Sequence, residues 1–118
     1  MSEQDAAPSP RTRWQADRSH PEKADVLRKK LGEVMDPELG LSIIQLGMVR
    51  EVVIEEKGAS IRMILTTPFC PYGPAMMENA RQKAESVLGI SVTMEMGDEF
   101  WNQSMMEEDS GKDWGLLY

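Results

Sequence analysis

Apolar residues recur at helical spacing in SHPEKADVLRKKLGEVM, where Leu27, Leu31 and Val34 share one face. Ser19 and Glu22 stand in capping-box spacing and Pro21 suits a first turn, so a first helix is predicted from Ser19. It should end near Met35, because Asp36 precedes Pro37 and a residue before proline avoids the helical region. LSIIQLGMV follows neither period cleanly and reads as a buried connection with room for a short strand. MVREVVIEE and ASIRMILTT are rich in Val, Ile and Met and meet at Lys57-Gly58, which predicts an antiparallel hairpin. In GPAMMENARQKAESVL, Met77, Ala80, Ala84, Val87 and Leu88 form one stripe closed by Gly89, the mark of a second helix. ISVTMEM alternates Ile90, Val92, Met94 and Met96 against Ser91, Thr93 and Glu95, as a half-buried strand does.

The order helix, hairpin, helix, strand predicts an α+β fold: a small single domain over residues 19–97, with two helices packed on one face of a mixed β-sheet. The last strand would join the hairpin through a crossover, right-handed if the strands are parallel. Residues 1–18 mix Ser, Pro, Asp, Gln and Arg with one Trp, too few apolar groups to offset the entropy of ordering, so a disordered leader is expected there. Its Arg11, Arg13 and Arg18 around Trp14 offer contact to an acidic partner or to the acidic tail. Residues 98–118 are acidic, yet carry Phe100, Trp101, Trp114, Leu116, Leu117 and Tyr118, and are expected to dock on the body.

A chain of 118 residues suits one domain. Its net charge of -7 argues against a nucleic-acid partner, which would ask for clustered Lys and Arg. No apolar run approaches the roughly 18 residues of a membrane span, and the N-terminal residues lack a signal peptide's apolar core, so no membrane association and a cytoplasmic location are expected. The one cysteine, Cys70, cannot form an internal disulfide and is a free thiol or a ligand.

Cys70 lies in TTPFCPYGP, between a strand ending at Thr66-Thr67 and a helix whose first turn can hold Pro71 or Pro74. A sulfur near a helix N-terminus is favoured as thiolate, the form that attacks or binds metal. The same position equally suits a small hydrophobe filling the corner. In DPELG, Asp36 and Glu38 flank Pro37 in a rigid turn, either as a ligand or acid pair or, more plainly, as a turn in which Asp36 caps backbone N–H groups. The ten methionines suit a Cu(I) site or an adaptable groove, and more simply a core. His20, at the start of the first helix, reads as a surface residue rather than a base for Cys70, which leaves a thiol-dependent enzyme without a base or a resolving cysteine.

VMDPELGLSIIQLGMVREVVIEE, ILTTPFCPYG and GISVTMEM, in this order, resemble the metal-sulfur cluster assembly family that includes bacterial SufT and PaaD and a subunit of the eukaryotic cytosolic iron-sulfur targeting complex. The resemblance runs from about Val26 to Met96 and is most specific at Asp36-Pro37-Glu38, at Leu46 to Val49, and at Thr66 to Pro71. It implies an accessory role in iron-sulfur protein maturation, without enzymatic turnover. Cys70 would be the functional thiol and transient cluster ligand, supported by Asp36, Glu38, Thr66 and Thr67. The implied partners are iron-sulfur assembly proteins and client apoproteins. A cluster usually takes four ligands, mostly thiolates, so one cysteine per chain implies a transient iron or iron-sulfur species, shared in a homodimer or held during handover. GDEF stands where the family commonly has Trp-Asp-Pro-Pro, and the extra C-terminal cysteines of the phenylacetate-degradation branch are missing. The competing function is a protein-interaction adaptor in which Cys70 only packs.

Overall fold

The computed structural model describes residues 12–67 and 71–106. Three helices, α1 (Gln15–Ser19), α2 (Pro21–Leu31) and α3 (Gly73–Leu88), accompany three strands, β1 (Val49–Ile54), β2 (Gly58–Met63) and β3 (Ser91–Met96). The sheet has the order β1-β2-β3, with β2 antiparallel to β1 and parallel to β3. The mixed sheet, its hairpin and its helical crossover are those the sequence predicts. Val52, Ile54, Ala59, Ile61, Met63 and Val92 bury their side chains with Ala24, Leu27 and Leu31 of α2 and Met76, Ala80 and Ala84 of α3. One sheet face therefore carries the helices. The pairing slips between Val49 and Glu51, which makes Arg50 the extra residue of a β-bulge.

Several expectations need correction. Pro21 does occupy the first turn of α2, but the cap is His20 and no side chain bonds the free N–H groups, so the Ser19–Glu22 capping box does not form. His20 uses its ring nitrogen, 2.8 Å from the Ser19 hydroxyl, instead. The helix stops at Leu31 rather than near Met35, because Ile43 N–H donates to the Val34 carbonyl at 2.9 Å and Asp36 N–H to Leu41 at 2.9 Å. These bonds draw the chain into a hairpin-like arm, with an isolated bridge between Met35 and Ser42 in place of a short strand.

The leader is not structureless where it is described. Trp14 is 4% exposed, its indole N–H donates to the Val49 carbonyl at 3.1 Å, and the Arg28 guanidinium lies 3.9 Å from its ring centroid. Arg28 also binds both carboxylate oxygens of Asp17 and the Thr12 carbonyl. A composition poor in apolar residues hid one aromatic anchor whose partners come from α2 and β1. Residues 12–18 thus pack on the body, and α1 is a helix the hydrophobic pattern did not predict.

Candidate functional site

The strand end that leads to Cys70 is held on both sides. Ile64 N–H donates to the Met48 carbonyl at 2.8 Å, and Gly97 N–H donates to the Met63 carbonyl at 2.9 Å, so the C-terminal end of β2 is bonded to the chain on both sides. A side chain at Gly73 would place its Cβ 2.6 Å from Leu65 Cδ1, so the first turn of α3 rests directly on the residue where the strand leaves. The loop 66–72 is therefore pinched at its base. Thr66 and Thr67 stand half-buried on its first limb, and Pro71 and Tyr72 are exposed on its return. Cys70 lies outside the described residues.

α3 opens with Tyr72 as cap, Pro74 in its first turn, no side-chain cap and no acidic residue. Its free N–H groups and the dipole at that end keep their positive character for whatever the loop presents.

Asp36 is 1% exposed, and one carboxylate oxygen accepts from Glu38 N–H at 2.8 Å and Leu39 N–H at 3.1 Å. The plain reading of DPELG is the one the geometry displays: a self-capping turn, with Glu38 exposed at its tip. Met48, Met63, Met76 and Met106 are core residues. Met94 is half-buried and Met96 is 54% exposed, so the methionine pair of β3 does not make one buried face. Among the described residues no three His, Cys, Asp or Glu side chains are grouped to hold a metal ion.

The residues from Leu46 to Val49 do work that spacing alone could not reveal. The Leu46 carbonyl accepts the Trp101 indole N–H at 2.7 Å. Gly47, at φ +72°, lies where a Cβ would come within 2.0 Å of the Met105 carbonyl oxygen. Met48 binds the strand exit and Val49 binds Trp14. Four consecutive residues join the C-terminal segment, the loop stem and the N-terminal segment. Phe100, expected to dock, is instead 86% exposed, while Trp101 and Met106 do pack; Trp114 to Tyr118 lie outside the described residues. A polar cleft of about 580 Å³ beside this junction is lined by Arg13, Arg50, Arg62 and Glu99, with Glu99 3.4 Å from both Arg50 and Arg62.

The fold is a small α+β domain whose β2–α3 connection, its two ends held close by Gly73 on Leu65, is the stretch of sequence that contains the cysteine. The chain belongs to the family described as iron-sulfur cluster assembly protein, whose model matches residues 23–95. It is 34% identical over 96 residues to an Fe-S protein maturation auxiliary factor of Porphyromonas gingivalis, covering 79% of this chain and 90% of that one. It is 33% identical over 66 residues to an iron-sulfur cluster carrier protein of Synechocystis, covering 56% of this chain and 19% of that longer protein. A domain of unknown function from Bacillus anthracis has the same fold, with a TM-score of 0.73 at 24% identity over 83% of this chain and 96% of that one.

Proposed function

We propose that the protein is an accessory factor in iron-sulfur cluster assembly or transfer to client apoproteins, working in the cytoplasm, with Cys70 supplying a thiolate to an iron or cluster cargo during handover. The observation that carries this reading is family membership over residues 23–95, joined to the single cysteine of the chain falling in the loop between β2 and α3. The names of the Porphyromonas and Synechocystis relatives, a maturation auxiliary factor and a cluster carrier, support a role without turnover. A cluster needs about four ligands, so a lone Cys70 acts with a second copy, small thiols or the client itself. An acid-free first turn at α3 favours the thiolate, and a reducing cytoplasm keeps it free. In this reading Thr66 and Thr67, half-buried on the first limb of the loop, and Asp36 and Glu38 of the Asp-Pro-Glu turn support the thiol.

The test compares wild type, Cys70→Ser and Cys70→Ala by thermal melting, by anaerobic reconstitution with iron and sulfide followed by absorption spectra and gel filtration, and by cluster content of client proteins in cells. The expected outcome is that both variants stay folded while cluster binding and client maturation fail. Full client maturation by Cys70→Ala would reduce the protein to an adaptor.

A further inference from the structure

A groove of about 340 Å³ opens between the end of β2 and the segment after β3, with Leu65, Thr66, Met96, Phe100 and Trp101 among its walls. The lining is mostly apolar, and two walls stand in water: Phe100 is 86% exposed and Met96 54%. Clustered apolar surface of this kind marks a place where something binds.

The chain itself carries a matching segment. The described residues end at Met106, which is 3% exposed, next to Met105 packed on Gly47. The neighbouring Leu46 carbonyl holds the Trp101 indole. Covalent geometry puts Met106 within about 18 Å of Trp101, since five residues span no more than that. Beyond Met106 the sequence runs EEDSGKD and then WGLLY, a polar spacer followed by four large apolar residues in the last five positions. The spacer reaches up to about 26 Å, enough to carry Trp114 back to the groove. The spacer is acidic, with Glu107, Glu108 and Asp109 at its start, and the cleft whose rim includes Met105 is lined by Arg13, Arg50 and Arg62.

We propose that Trp114–Tyr118 docks in cis into this groove and covers Phe100 and Met96. Thr66 is one wall, and Cys70 follows it by four residues, within about 14 Å along the chain. The inference stands on the groove and the tail sequence and does not depend on what Cys70 does.

Amide hydrogen exchange on the full chain and on a chain ended after Asp113 tests it. The expected result is exchange about tenfold faster at Leu65, Thr66 and Asp98 to Trp101 in the shortened chain, reversed by adding a synthetic WGLLY peptide. Phe100→Ser in the full chain, a change at an exposed side chain that leaves the core intact, should match the shortened chain. Unchanged exchange in the shortened chain overturns the proposal, as does full protection in Phe100→Ser. Protection that disappears on dilution also overturns it, because the occupant would then be the tail of a second copy.

Discussion

Gly47 shows how much one residue can hold. Its φ of +72° lies in the left-handed region, and the space where a side chain would go is filled by the Met105 backbone. Alanine there costs roughly 1–2 kcal/mol for the backbone alone and forces the C-terminal segment away as well. Gly47→Ala is therefore expected to lose about 2 kcal/mol or more and to lower the melting midpoint by roughly 8 °C or more, with a weakened near-ultraviolet signal from Trp101. An unchanged melt would show that the segment is not clamped there. Asp36 is the opposite case, a carboxylate whose visible task is to accept two backbone N–H groups. Asp36→Ala leaves those buried donors unmet and should cost about 1–3 kcal/mol, whereas Asp36→Asn keeps an acceptor and should be milder in the same melts. The capping turn was legible from Asp-Pro-Glu because its partners are two and three residues away. The role of Leu46 to Val49 was not, because Trp14 reaches Val49 across 35 residues and Trp101 reaches Leu46 across 55.

At the scale of elements, local signals fared well where they act locally. Pro74 opens α3 and Gly89, at φ 70°, closes it with its N–H bonded to the Glu85 carbonyl at 2.9 Å, as the sequence predicts. The buried stripe starts one residue before the one the periodicity predicts: Met76 is buried at 5% exposure, and Met77 is only half-buried. Helix rotation is set by how Gly73 settles on Leu65, a tertiary contact that periodicity does not contain. The exposed face of α3 carries Glu78, hydrogen-bonded by Arg81 at 2.9 and 2.6 Å and by Gln82 at 3.0 Å. The Arg81 bonds first, and then Gln82, hold the Glu78 carboxyl down to about 2 from an ordinary 4.5. A carboxyl depressed on folding contributes stability above pH 4.5, and loses it as pH falls from there to about 2. A carboxyl titration of the folded protein should place the Glu78 midpoint near 2. Because the pair lies at the surface, where solvent screens it, Glu78→Gln should move the pH 7 melting midpoint by no more than about 2 °C.

At the scale of the whole molecule, both ends of the described chain converge on the connection between α2 and β1. Trp14 comes from one side, Trp101 and Met106 from the other, and Glu99 pairs with Arg50 at the bulge between them. Composition pointed the wrong way for the N-terminal side, because a segment with one large apolar residue is stable only when distant groups wait to receive it. Here they do: Arg28 sits 3.9 Å from the Trp14 ring, is 8% exposed, and is neutralised by Asp17 from the same segment. Removing residues 1–18 would take from that guanidinium both its carboxylate and its aromatic face. Trp14→Ala alone should cost about 3–5 kcal/mol, a fall in melting midpoint on the order of 15 °C. Arg28→Ala should also destabilise, and the double variant should cost less than the sum of the two because the residues share one contact. Thermal melts of the two single variants and the double variant measure this coupling. Strict additivity would mean that the ring and the guanidinium act separately, and an unaltered melt for Trp14→Ala would return the segment to the disordered leader its composition suggests.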